Sequence, residues 1–119
     1  MSINNEIVNK IVTTLDLKKA ENIKVLYVRE LTTITDYFVI ATANSPLQAQ
    51  AFADNLEEKL LEMGVKPVNR EGYNSAEWIL LGFDDVVVHI FQREAREFYS
   101  LEHIWKDAVE EDIRDLLTD

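Results

Sequence analysis

Carboxylates and imidazole are the side chains from which metal sites and general acid/base pairs are assembled. The stretch GFDDVVVHIFQ, Gly82 to Gln92, carries Asp84 and Asp85 side by side and His89 four residues on. Adjacent Asp residues also suit a chain reversal, because each side chain can accept from backbone N–H groups close by. His89 stands among Val87, Val88, Ile90 and Phe91, surroundings in which a neutral, hydrogen-bonded imidazole is the ordinary outcome. Alternation places Asp85 and His89 on one nominal strand face but about 13 Å apart at ~3.3 Å per residue, too far to share a ligand. The stretch therefore reads as a turn followed by a strand.

Other routes to catalysis are thin. His103 has no Ser or Cys partner at motif spacing, and the chain has no cysteine, which excludes disulfides, thiol nucleophiles and Cys-rich zinc sites. No GxSxG, HExxH, GxxxxGK or GxGxxG string occurs, and three glycines leave little for a phosphate-cradling loop. The helix start at NSPLQ could hold an anion at its amides, but Ser45 and Gln48 have the types and spacing to cap it. Trp78, beside Glu77 in a strand, is the residue type most enriched in binding hot spots, and equally a candidate core residue.

Composition narrows the class further. At 119 residues, 47% hydrophobic, the chain is expected to form one packed domain. Its 22 acidic and 12 basic residues give a net charge of −10, a sign that repels phosphate backbones and suits a basic protein partner. No apolar run approaches a membrane span, and MSINNEIVNK lacks the order of a signal peptide, so a soluble, cytoplasmic protein is expected.

The elements that must position these residues follow from periodicity. Apolar positions from Ile3 to Leu17 recur at helical spacing, with Ser2 as the expected cap. IKVLYVRE and DYFVIATA have strand composition. Ser45 as N-cap, Pro46 at the first helical position and Gln48 reaching back to the Ser45 N–H begin a second helix of about five turns that ends at Gly64. VKPVNRE is a weaker strand, placed at an edge by Pro67. AEWILLGF and DVVVHIFQ form a hairpin with Gly82 to Asp85 between them. Helical spacing returns from Arg93 to the end, with a break near Ser100. The expected fold is α/β (α+β), a mixed five-stranded sheet flanked by helices in the order α-β-β-α-β-β-β-α.

Three blocks, TDYFVIATANSPLQAQAFADNLEEKL, REGYNSAEWILLGFDDVVVHIF and EAREFYSLEHIWKDA, resemble in order and spacing the ribosomal silencing factor family, also called the Iojap family. The resemblance covers roughly Asn5 to Ala108 and implies a domain at residues 1–108, followed by an acidic helical extension at 109–119. It implies a nucleotidyltransferase-like fold without catalytic residues, and neither cofactor nor metal. Its implied partner is the large ribosomal subunit, bound through ribosomal protein uL14, so that subunit joining is blocked when nutrients are short; a homodimer is implied when free. No membrane and no direct sequence-specific nucleic acid are implied. By position, the resemblance puts Glu71, Trp78, Leu81, Phe83, Asp84 and Asp85 on the protein interface, although alternation sets Trp78 and Leu81 on opposite faces. The alternatives are a nucleotidyltransferase-like enzyme and a general acidic adaptor that uses its tail.

Overall fold

The computed structural model describes residues 5–118. Helix α1 (Glu6–Leu17) is capped by Asn5, whose side chain accepts from the Val8 N–H at 3.0 Å. The expected cap, Ser2, lies outside the described residues. Strands β1 (Glu21–Tyr27) and β2 (Tyr37–Ala43) lead into α2 (Pro46–Glu62). The Ser45 side chain accepts from the Gln48 N–H at 3.0 Å, as the capping pattern requires. The return bond falls one residue earlier than expected: Gln48 Oε1 accepts from the Asn44 N–H, at 2.6 Å.

Strands β3 (Asn69–Glu71), β4 (Trp78–Phe83) and β5 (Val86–Gln92) complete the hairpin region. The turn is tighter than the sequence suggests, since Gly82 and Phe83 pair with Val87 and Val86 and only Asp84 and Asp85 lie outside the ladder. Asp84 takes a φ of 55°, a left-handed conformation that Asp tolerates better than most residues. Helices α3 (Arg93–Tyr99) and α4 (Leu101–Ile104) are separated at Ser100, whose own φ is 50°. The break expected there is present.

The sheet has the order β3-β4-β5-β2-β1-β6, six strands where five were expected. It is mixed: β2 and β5 run parallel at its centre, and the remaining neighbours are antiparallel. The sixth strand, β6 (Val109–Glu110), comes from the expected helical extension. It pairs with Leu26 and Tyr27 on the edge of β1, and Glu111 N–H continues the contact to Val25 O at 2.8 Å. A 3-10 turn (Arg114–Leu116) follows, Ile113 enters the core, and Thr118 donates twice to Asp16 Oδ2 at 2.8 Å. Residues 109–118 thus fold onto the domain as a strand and a turn. Unmet N–H and C=O groups along the β1 edge make a short strand better than an isolated acidic helical turn there.

Alternation divides the strands between two cores. On one face Val39, Ala41, Ile79, Leu81, Phe83, Val86, Val88 and Ile90 pack with α1 and α2 residues such as Ile11, Leu15, Phe52 and Leu56. On the other, Leu26, Phe38, Ile40 and Phe91 meet Leu101, with Trp78, Val87, Trp105 and Ala108 only partly covered. The first face is sealed and the second is partly open.

Candidate interaction face

The open face is built on the β4–β5 ladder. Trp78 pairs with Phe91 and Leu80 with His89, so Trp78 and His89 are diagonal neighbours on the same side of the sheet. The Trp78 ring stacks on Phe91 at a centroid distance of 4.9 Å and lies 4.7 Å from the Tyr99 ring of α3. Phe38 makes edge contacts with His89 at 4.9 Å and Trp105 at 5.1 Å. Phe98 meets Tyr99 at 5.1 Å and is itself 80% exposed. An aromatic row therefore runs from inside the second core to solvent, with half-buried Leu80 and Val87 beside it.

His89 is 4% exposed, and its environment is apolar. Its Nδ1 accepts from Trp78 Nε1–H at 3.0 Å, which places the ring hydrogen on Nε2. Nε2 is buried and has no hydrogen-bond partner among the described residues. Burial holds the pKa down at about 4, so the ring is neutral at physiological pH. This is a buried structural imidazole and not an acid/base group poised near neutrality.

The turn at the end of the hairpin is tied to β2. The Asp85 carbonyl accepts from Thr35 Oγ1 at 2.7 Å and from the Asp36 and Tyr37 N–H groups at 3.0 and 3.2 Å. Burial, and then the neighbouring charge of Asp84, push the Asp85 carboxyl pKa above its usual value. Asp84 itself is exposed. Among the described residues no group of three or more His, Cys, Asp or Glu side chains could hold a metal ion.

The six expected interface residues divide by face. Glu71 and Asp84 are exposed, Trp78 and Asp85 are half-buried, and all four can be reached from solvent. Leu81 and Phe83 are 0% exposed and belong to the core against α2. They cannot meet a partner while the domain is folded. Period-two alternation opposite Trp78 and Gly82 is the cause, and it corrects the expectation carried by the resemblance.

The loop before Trp78 depends on Gly72. Its φ is 79°, and a Cβ there would lie 2.1 Å from the Trp78 carbonyl oxygen. Ala76 N–H closes the loop on the Gly72 carbonyl at 2.9 Å. The backbone entering β4 at Trp78 is thereby held close against Gly72.

Arg96, which sequence reasoning did not single out, fastens α3 and α4 to the sheet. From a nearly buried position it donates to Asn22 O at 2.6 Å, Thr42 Oγ1 at 2.8 Å and Glu102 Oε2 at 2.9 Å. Partial burial works against the Glu102 carboxylate, but the hydrogen bonds and charge of Arg96 outweigh it and the pKa is lowered. His103 lies nearby on a cleft of about 620 Å³ lined also by Arg93, Arg96 and Lys106. There Arg96 is paired with Glu102 and Arg93 with Glu21, so this cleft is a braced structural joint.

Among the described residues no helix is long and apolar enough to cross a membrane. The family model "Ribosomal silencing factor during starvation" matches residues 2–119. A Halalkalibacterium halodurans protein, "Ribosomal silencing factor RsfS", is 39% identical over 105 residues, covering 88% of this chain and 90% of that protein. A Mus musculus protein, "Mitochondrial assembly of ribosomal large subunit protein 1", is 32% identical over 101 residues, 82% of this chain and 44% of that protein. A crystal structure of a Chromobacterium violaceum protein superposes with a TM-score of 0.83 at 35% identity, covering 89% of this chain and 88% of the other. A family match across nearly the whole sequence and a shared fold agree, and the chain belongs to the ribosomal silencing factor family.

Proposed function

We propose that this protein represses translation by docking its open sheet face on the large ribosomal subunit, through ribosomal protein uL14, and so blocking the small subunit when nutrients are scarce. The observation that carries the reading is the half-buried indole of Trp78, central to an aromatic row that the fold leaves partly uncovered. Aromatic anchors in such positions commonly dominate interface energy. The net charge of −10, with Glu71 and Asp84 exposed on the strands and turn around the face, complements a basic ribosomal protein better than it does RNA. The family description and the large-subunit wording in the mouse relative's name support the same partner.

In this reading the protein is not an enzyme and works in the cytoplasm, and the same apolar face supports a homodimer when the ribosome is absent. Steric occupation of the joining surface suffices for repression. Sedimentation of the purified protein with isolated subunits tests it. Pelleting with large subunits is expected, and pelleting with small subunits only, or with neither, would overturn the proposal.

A further inference from the structure

An imidazole is an expensive way to fill the second core. Burying a polar ring whose Nε2–H finds no acceptor carries a desolvation cost that an aromatic hydrocarbon of similar shape would avoid. Among the described residues the ring's one hydrogen bond is the one from Trp78, and that bond links two residues of one open face. Where local packing rules are broken, a functional constraint is the first place to look.

We propose that His89 is a positioning residue for the docking face: its Nδ1 holds the Trp78 indole by Nε1–H and fixes the ring before a partner arrives. The inference rests on the docking function proposed above and adds the device that prepares its anchor. Phe91 stacks under the indole with 29° between the ring planes and Tyr99 meets it tilted at 47°, but such ring contacts are broad in orientation and do not single out one position of the Nε1–H edge. The directed bond at 3.0 Å removes that freedom. Its value in binding is a reduced ordering cost, since an anchor already in its bound rotamer loses less side-chain freedom on docking.

Phe38 shapes the other side of the same device. The two rings meet in a T-shaped contact at a centroid distance of 4.9 Å, and with His89 only 4% exposed little solvent reaches Nδ1 to compete with Trp78. The partner that fits is a protein surface able to receive a fixed indole edge next to Leu80 and Val87, with basic groups around it to match Glu71 and Asp84.

The test is a double-mutant cycle of large-subunit binding by full-length protein, combining His89→Phe with Trp78→Phe, with His89→Asn as a third variant. Asn presents an oxygen near the Nδ1 position and can keep the bond. His89→Phe is expected to weaken binding about tenfold, the upper end of what ordering one side chain costs. In the Trp78→Phe background, where no indole N–H remains, it should have almost no further effect. His89→Asn should bind within about threefold of the wild type, even if it melts earlier. In ¹⁵N-labelled protein, one of the two indole N–H signals should move and lose exchange protection in His89→Phe and stay close to its place in His89→Asn; the chain has two tryptophans, so the signals are readily assigned by mutation. Wild-type affinity of folded His89→Phe alongside weakened Trp78→Ala would overturn the positioning role and leave the docking function standing. The same loss in both Trp78 backgrounds would also overturn it. Unchanged affinity of Trp78→Ala would remove the docking reading itself, and the inference with it.

Discussion

Arg96 Nη2 lies 2.9 Å from Glu102 Oε2, and this pair spans the break between α3 and α4. The Arg96 side chain is only 7% exposed, so it relies on Glu102 and on its bonds to β1 and β2 to offset desolvation. Arg96→Ala deletes all of these at once, and leaves Thr42 Oγ1 and the Asn22 carbonyl without their donor. A loss of about 3 kcal/mol in unfolding free energy is expected, read by urea denaturation. Glu102→Gln, at a more exposed position, should cost less than half as much.

Acid should weaken the fold through His89. Its folded pKa is about 4 against an ordinary 6.5, so the unfolded chain takes up this proton first. The contribution is complete above pH 6.5 and is lost as pH falls from there toward 4. Each pKa unit corresponds to ~1.4 kcal/mol, which makes the full loss about 3 kcal/mol. Comparing denaturation of the wild type and His89→Phe between pH 7 and 4 isolates this group from the carboxylates. The gap between the two should shift in favour of the variant as the solution is acidified.

Gly72→Ala should destabilise the protein by about 2 kcal/mol or more, because a left-handed residue acquires a Cβ and that Cβ collides with the Trp78 carbonyl. Thermal denaturation followed by circular dichroism measures it. The atoms it meets are backbone, so relief requires moving the main chain at Trp78 or at Gly72, and the folded fraction should also bind large subunits less tightly. Gly64→Ala is the control: its φ is 81° but its Cβ meets nothing within 4 Å, and only the smaller conformational cost is expected.

Charge on the hairpin turn should act on encounter more than on residence. Asp84→Asn keeps a side chain that tolerates φ of 55° and removes an exposed charge. Association with large subunits should slow by about two- to threefold at low salt, with a flatter salt dependence and little change in dissociation. Asp85→Asn should do less to the rate, since this carboxyl is partly buried and its ionised form is disfavoured there. Stopped-flow association at two ionic strengths separates the two.

Much of this fold is legible because the signals are local. Ser45, Pro46 and Gln48 mark the start of α2, Pro67 keeps β3 short and at the edge, and the Asp84–Asp85 turn closes the hairpin. Apolar runs with short links also imply mixed pairing, and β2 beside β5 provides the parallel pair. What escapes is set by register and tertiary contact. Leu81 and Phe83 belong to the core because they alternate with Trp78 and Gly82, and which of the two faces is sealed depends on where α2 lands. The Trp78–His89 bond joins diagonal residues on neighbouring strands and becomes visible only once Leu80 is seen opposite His89. Arg96 reads as an ordinary surface residue of an amphipathic helix until Asn22 and Thr42, distant in sequence, come within reach. Val109 and Glu110 become a strand because β1 offers an unpaired edge.

The proposed docking places the open face around Trp78 on the large ribosomal subunit. Its most direct test is the equilibrium affinity of wild type and Trp78→Ala for isolated large subunits, with folding of the variant verified by circular dichroism. Truncating an interface anchor typically costs ~2 kcal/mol or more, so affinity should fall by roughly 30-fold, and repression of subunit joining should fall in step. A folded Trp78→Ala protein that binds large subunits as tightly as the wild type would contradict docking through this face.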